Sequence, residues 1–380
     1  MWALLLGLAV AAGPLPPYAG AYEPQTVDER GLWMQLDEAE RALRDSAFVL
    51  KDAALTGYVH GVLCHTVGAD RCGGSRIYVV RNPEFNAAMA PNGMMFVNSG
   101  LLLRMRDEAE LAVILGHEFA HFEQRHTLKA FQHTHSMTDI AAWASVFAAN
   151  IGSYQLRRTA IDVRNGALGT IPGFDRDEER QADMLGARYM LAAGYDPQAL
   201  PAIWNRVMDE ADATAFGRKQ KSQRYGRVAF FADHPTNLER ATYLHTLADG
   251  FGQTGEAGKD AYRAALRPWR AAFLADQIKL NDFGGTDYLF GQLAADGWDA
   301  DLLCARGELY RMRGNPRDLV SAAGFYAQAI AQDAALADAY RGMGLAQLRG
   351  GDAKGADALK RYLALRPDAP DRAMLAALLP

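Results

Sequence analysis

The sequence has little of several features that mark nucleic-acid-binding, membrane-spanning or disulfide-rich proteins. Its 380 residues carry 40 Lys and Arg against 45 Asp and Glu, so no excess of positive charge is available to bind nucleic acid or anionic lipid. The apolar runs are too short to cross a bilayer comfortably, and there are only three cysteines. A hydrophobic content of 49% with 22% charged residues is typical of a globular protein, and the length predicts two domains.

The first residues are typical of an exported chain. Trp2 to Ala12 form a short apolar run, and Ala19-Gly20-Ala21 matches the cleavage pattern of a secretory signal peptide. We therefore expect residues 1–21 to be removed on export and the mature chain to begin near Tyr22, without a transmembrane span.

The cysteines agree with export. Cys64 and Cys72 lie in a Gly-containing turn region and could close a short disulfide loop in an oxidising compartment. Two unrelated thiols are the alternative. Cys304 lies in a helical stretch and is expected to be a small buried hydrophobic residue.

The stretch that carries the clearest chemistry is LAVILGHEFAHF, Leu111 to Phe122. On an α-helix His117 and His121 lie one above the other, so both imidazoles can point at one ion. A catalytic zinc ion keeps one coordination position for water, and Glu118 would take the proton from that water as it attacks a carbonyl. A pattern this short also arises by chance, but the uncharged residues around it favour a buried helix that binds one zinc ion.

Such a site needs a third protein ligand from elsewhere in the chain. Phe174 to Tyr195 reads as a helix with acids in its first turn, and Glu179 and Asp183 share one face of it. Glu179 can reach the ion, and Asp183 can orient a ligand histidine. Acids at a helix start are more often solvated residues that suit the helix dipole. The need for a third ligand favours the metal-binding interpretation.

A further polar segment runs from His234 to Arg240. His234 could donate to the developing oxyanion or occupy the open zinc position at rest, and Arg240 could hold a substrate backbone or carboxylate. A helix cap with a surface ion-pair partner is the alternative. The remaining histidines near the motif are expected to be solvated: His126, His133 and His135.

Two β-type runs precede the motif, Arg76 to Val80 and Met94 to Val97, the second after an Asn-Gly turn. Asp107 and Glu110 form a capping box for the motif helix, which we expect to continue through His126. A strand just before an active-site helix can hold an extended peptide by edge pairing, so substrate is expected along Met94 to Val97. A plain structural hairpin is the alternative.

The last third of the chain predicts helical repeats. Gly307 and Gly344 occupy similar frames 37 residues apart, which fits a tetratricopeptide-like period with a short insertion. Two repeats are fewer than a stable array usually needs. We therefore expect either that Tyr262 to Leu293 supplies a degenerate third repeat or that the array packs against the first domain. Such arrays bind protein partners. The expected domains are 22–255 and 256–380.

Together HEFAH, ERQAD and HPTNLER resemble the zinc endopeptidases that include HtpX and the CaaX prenyl protease. The soluble character, cysteine pair and repeat tail look most like the periplasmic β-barrel assembly-enhancing protease group. The resemblance implies a mainly α (α+β) gluzincin-like fold with a small sheet and a periplasmic location. It also implies that His117, His121 and Glu179 bind the zinc ion and that Glu118 is the general base and acid. By the same resemblance, Asp183 would support a ligand from behind, and His234 and Arg240 would lie near the substrate carbonyl.

Two classes of function remain open. The first is an endopeptidase that acts on misfolded or misassembled exported proteins. The second is a repeat-based assembly factor or chaperone with restrained proteolysis. The intact base Glu118 favours the first, because an inactive protease does not need it.

Overall fold

The computed structural model describes residues 15–133, 176–222, 237–251 and 254–379. Within these ranges the chain is mainly α-helical with one small sheet, as expected. The strands are β1 (Arg76–Val80), β2 (Ala87–Met89) and β3 (Met94–Asn98). The helices are α1 (Val27–Asp45), α2 (Ala53–Val67), α3 (Ala69–Cys72), α4 (Ser99–Arg104), α5 (Glu108–Glu123), α6 (His126–His133), α7 (Arg176–Ala192), α8 (Ala199–Gly217), α9 (Asn237–Phe251), α10 (Lys259–Leu266), α11 (Arg270–Ile278), α12 (Phe283–Leu293), α13 (Ala300–Arg313), α14 (Pro316–Gln332), α15 (Ala337–Arg349), α16 (Gly355–Leu365) and α17 (Arg372–Ala376).

The chain forms two compact units. The described parts of Met1–Asp209 and Gln223–Pro268 make the first, and Glu210–Ser222 with Trp269–Pro380 make the second. Residues just after 255 therefore pack with the first unit, where the Ala109 N–H donates to the Ala257 carbonyl at 3.0 Å. The domain bounds 22–255 and 256–380 stay a prediction, because compactness alone does not define a repeat domain.

The sheet of the first unit has the order β1-β3-β2, with β1 parallel and β2 antiparallel to β3. The Asn92-Gly93 turn joins β2 to β3, and Gly93 has a φ of 88°, which favours glycine. Apolar residues of α1, including Leu32 and Leu36, pack against Phe96 in a common core cluster. The sheet and α1 thus form a layer beside the motif helix.

The expectation that substrate pairs with Met94 to Val97 is wrong in its choice of strand. β3 lies between β1 and β2, so both of its edges already make backbone hydrogen bonds. All five residues of β3 are buried. Among the described residues, β2 is the strand next to α5 whose outer edge has no partner strand.

Helix α5 begins and ends where local chemistry requires. The Asp107 carboxylate accepts from the Glu110 N–H at 2.9 Å, as an N-cap residue does. Glu110 does not complete the predicted capping box, since its carboxylate accepts from Arg106 N–H instead. The helix also ends earlier than expected, at Glu123, because Arg125 has a φ of 61° and turns the chain.

Two glycines set the distance between α5 and α7. A Cβ on Gly186 of α7 would lie 3.0 Å from the His117 backbone N and 3.2 Å from the Gly116 carbonyl carbon. A Cβ on Gly116 would lie 3.4 Å from the Gly186 carbonyl oxygen. The two main chains approach closely only because neither residue has a side chain. Glu179, two turns from Gly186, is thereby brought against the motif.

The second unit consists of packed helices whose pairs approach through small residues. A Cβ on Gly307 of α13 would lie 2.8 Å from the Tyr326 ring of α14. A Cβ on Gly344 of α15 would lie 2.7 Å from Leu359 of α16. Both glycines therefore mark close contacts between paired helices. The tetratricopeptide assignment itself stays a prediction.

Candidate metal centre

Three donor side chains from α5 and α7 converge in the first unit. His117 Nε2 and His121 Nε2 are 3.1 Å apart. Glu179 places Oε1 at 3.3 Å from His121 Nε2 and Oε2 at 3.6 Å from His117 Nε2. All three residues are buried, and their donor atoms form a group that could hold a metal ion.

The separations of these donors fit a zinc ion. Ligands at ~2.0–2.1 Å in a tetrahedron around zinc lie about 3.3–3.4 Å from one another. The distances of 3.1, 3.3 and 3.6 Å bracket that value. Two imidazoles and one carboxylate are also a donor set that zinc accepts. Burial, reinforced by the Arg240 cation, lowers the pKa of His117 and so favours the neutral ring that a ligand needs.

Behind His117 lies a network of buried charges. His117 Nδ1 is 2.9 Å from Asp183 Oδ1, the contact expected of a carboxylate that orients a ligand. Arg240 donates to the same carboxylate through Nε at 2.9 Å and Nη2 at 2.5 Å, and the Tyr243 hydroxyl donates to it as well. Burial alone would raise the pKa of Asp183, but Arg240 and His117 outweigh it and hold this pKa well below its usual range.

Arg240 is itself almost fully enclosed. Its guanidinium lies 3.8 Å from the centroid of the Trp204 ring, and its Nη1 is 3.6 Å from Glu179 Oε2. The structure thus gives Arg240 contacts with the acids of the metal group. Its expected contact with substrate stays a prediction. Trp204 of α8 supplies the aromatic surface against which the Arg240 guanidinium packs.

Glu118 is buried beside this group. Desolvation, followed by repulsion from Glu179, raises the pKa of Glu118 to about 8. The Met89 backbone N–H of β2 donates to the Glu118 carboxyl group and opposes that shift. The outer strand of the sheet and the expected base are therefore in direct contact.

His126 lies behind His121, on the side away from the three donors. Its Nδ1 is 2.9 Å from His121 Nδ1, and the ring is fully buried. The expectation that His126 is solvated is wrong, because the turn at Arg125 folds α6 back onto the end of α5. Burial, followed by the nearby Lys129, lowers the pKa of His126 to about 4, so the ring is neutral near pH 7. Helical periodicity cannot predict the contact between His126 and His121, because the turn at Arg125 separates the two residues.

A small pocket adjoins the metal group. It is shallow and partly open to solvent, and it is lined by apolar and aromatic side chains together with His121, Arg125 and Thr127. Met89 of β2 and Phe122 of α5 are among its walls. The pocket therefore lies between the outer strand and the motif helix.

Three predicted features lie partly or wholly outside the described residues. His234, expected near the substrate carbonyl, is one of them, and His135 is another. Residues 1–14 of the expected signal peptide are also outside. The remaining site residues that the sequence predicted are all placed within one cluster: His117, Glu118, His121, Glu179, Asp183 and Arg240.

Comparison with known proteins agrees with the geometry. Residues 54–248 match the sequence profile of peptidase family M48, which amounts to half of the chain. The chain belongs to this family. Its members are metallopeptidases that generally use zinc. The protein is therefore a metallopeptidase, and the group His117, His121 and Glu179 lies within the matched residues.

Individual relatives cover less of the chain. The β-barrel assembly-enhancing protease of Escherichia coli (strain K12) is 28% identical over 48% of this chain and 38% of its own length. A putative β-barrel assembly-enhancing protease of Vibrio cholerae is 29% identical over 54% of this chain and 46% of its own. The mitochondrial metalloendopeptidase OMA1 of Schizosaccharomyces pombe is 32% identical over 43% of this chain and 44% of its own length. The matches thus span less than half the length of these relatives.

Two further features of the described residues complete this comparison with the sequence. Cys64 and Cys72 are joined by a disulfide between α2 and α3, as the sequence suggested. In the described ranges, no helix combines the length and the hydropathy needed to cross a membrane.

Proposed function

We propose that this protein is a zinc-dependent endopeptidase of the cell envelope that hydrolyses misfolded or misassembled exported proteins. The observation that carries the proposal is the donor triangle of His117, His121 and Glu179, with Glu118 buried beside it. A purely structural cluster would gain nothing from three donors at zinc-like separations together with an adjacent carboxyl group.

The residues divide the chemical work among themselves. When bound, zinc supplies Lewis-acid polarisation of a carbonyl and lowers the pKa of water. His117, His121 and Glu179 hold the ion, and Asp183 orients His117 through Nδ1. Glu118 takes a proton from the attacking water and later delivers it to the leaving amine. Arg240 keeps Asp183 ionised within the buried network. We expect His234 to stabilise the oxyanion or to block the metal at rest.

The outer edge of β2 is the place where we expect an extended substrate to bind. Asn86 accepts from Asn98 N–H and Ala90 donates to Met94, so these residues face β3. By alternation, the backbone groups of Ala87 and Met89 face away from it. A peptide paired along this edge would run beside Glu118 and past the shallow pocket that Met89 helps to line.

The envelope location and the kind of client rest on other features. The Cys64–Cys72 disulfide supports an oxidising compartment, and the relatives named for β-barrel assembly support clients among exported proteins. We further propose that the helices of the second unit are repeats that bind protein partners. The expected signal peptide is tested by intact mass, which should show an amino terminus near Tyr22.

The test is a comparison of wild type with Glu118→Gln on an unfolded outer-membrane β-barrel protein. Wild type should contain one zinc per chain and cleave the client, and a chelator should stop cleavage until zinc is restored. Glu118→Gln should keep the metal but lose about 10²–10⁴-fold in turnover, because the base is gone. Glu179→Ala, the matched ligand variant, should lose the metal itself.

Two results would overturn parts of the proposal. A Glu118→Gln protein that cleaves at the wild-type rate removes Glu118 as the base. If wild type binds zinc and protects the client from aggregation without cleaving it, the repeat-based chaperone is the better description.

A further inference from the structure

The two histidines of the metal group use their ring nitrogens in the same way. Each directs Nε2 towards the donor group, since the distances to Glu179 and between the rings are measured from those atoms. Each therefore directs Nδ1 to the rear. Behind His117 stands the Asp183 carboxylate, and behind His121 stands the His126 imidazole.

The contact between His121 and His126 requires one proton. Two ring nitrogens at 2.9 Å form a hydrogen bond only when one carries hydrogen and the other a lone pair. His121 needs its Nε2 lone pair for a metal ion, so its proton sits on Nδ1. His121 Nδ1–H is then the donor, and His126 Nδ1 is the acceptor.

His126 is held firmly enough to fix its neighbour. Arg125, the residue before it, adopts a φ of 61° and lies with its guanidinium 4.7 Å from the centroid of the Tyr22 ring. The His126 and His121 rings are 4.9 Å apart and nearly perpendicular. The Gln181 side chain of α7 is close enough to act on the His126 pKa, so the ring lies beside the helix that also carries Glu179.

We propose that His126 is a positioning residue that fixes the tautomer and ring orientation of His121 and thereby strengthens zinc binding. His126 is not itself a ligand, since the donor group of the described residues within 4.8 Å contains His117, His121 and Glu179 alone. The inference rests on the proposed metal-binding role of those three residues. A residue that hydrogen-bonds the rear nitrogen of a ligand histidine typically contributes about 10–100-fold to metal affinity.

The experiment measures zinc affinity by chelator competition and needs no substrate. His126→Leu removes the acceptor at similar volume and should weaken zinc binding about 10–100-fold. His126→Asn places its Oδ1 near the position of the imidazole Nδ1 and should stay within about threefold of wild type, because the acceptor is retained. The absorption spectrum of the Co²⁺-loaded protein should change in His126→Leu and be restored in His126→Asn.

Leu128→Ala is the matched control on α6. Leu128 is buried in the core cluster, so its truncation should lower the melting temperature in chelator without changing zinc affinity. Wild-type affinity in His126→Leu would overturn the proposal. So would equal weakening in His126→Leu and His126→Asn, which would make His126 a packing residue. A wild-type protein that binds no zinc would instead contradict the proposed function, and this inference with it.

Discussion

The two histidines of the metal group are held by surroundings of opposite electrical character. His117 is backed by an anion, Asp183, which is neutralised by Arg240. His121 is backed by His126, a neutral ring. A buried charge is costly when its partner is lost, whereas a neutral acceptor costs little more than its hydrogen bond. The side of the site with the charges should therefore be the fragile one.

The largest effect is expected for Arg240→Met. This change leaves Asp183 and Glu179 buried without their cation and should cost about 3–5 kcal/mol of unfolding free energy in chelator. Zinc should reduce the cost, because the ion supplies positive charge beside Glu179. Urea unfolding with and without zinc measures both quantities.

Arg206→Met is the control for this change. Arg206 pairs with Glu110 in the same unit, away from the donor group. Arg206→Met should lower the free energy of unfolding by the same amount with and without zinc. If the two variants respond equally to zinc, the Arg240 network is not part of the metal site.

A smaller effect is expected for Asp183→Asn, which keeps an oxygen near His117 Nδ1 but removes the charge. Zinc affinity should fall about 10–100-fold. The same kind of replacement at His126 should leave affinity nearly unchanged, because that side carries no charge. Chelator competition on Asp183→Asn and His126→Asn compares the two sides directly. Equal losses of zinc affinity in the two variants would contradict the difference proposed between them.

A further effect concerns Glu118 and depends on pH. Its folded pKa of about 8 lies above the ordinary value of 4.5, so the folded apo protein holds a proton that the unfolded chain releases. Stability from this group is present below pH 4.5 and is lost as pH rises towards 8. Relative to Glu118→Gln, wild type in chelator should lose up to about 1.4 kcal/mol per pH unit across that window.

Zinc binding near neutral pH should also release more protons from wild type than from Glu118→Gln, because a cation favours the carboxylate. Titration calorimetry in buffers of different ionisation heat counts these protons. Equal release by both proteins would show that Glu118 is already ionised before the metal binds.

The sequence predicts the donor group well, because helical spacing alone puts His117 and His121 on one face. Glu179 and Asp183 follow from the need for a third ligand and from their own spacing. His126 could not be predicted in this way, since a turn at Arg125 separates it from the motif helix. The pairing of Arg240 with Asp183 likewise depends on how α9 packs against α7, which no local pattern reports.

The strand error has a similar origin. Alternation and the Asn-Gly turn identify the hairpin, but strand order in a sheet depends on long-range pairing with β1. A continuous buried run such as Met94 to Val97 is itself a sign of a central strand, because both of its faces are covered. The shorter run Ala87–Met89 on the other side of the turn is then the strand to expect at the edge of the sheet.

The glycine contact between α5 and α7 has a consequence for the fit of the ion. Because Gly116 and Gly186 let the main chains approach closely, the reach of Glu179 towards the two imidazoles is set by backbone packing rather than by side-chain freedom. A methyl group at position 186 would push the helices apart by a few tenths of an ångström and widen the donor triangle on the Glu179 side. A wider triangle fits zinc less well, so the absence of a side chain at position 186 keeps the donor separations close to those of a zinc site.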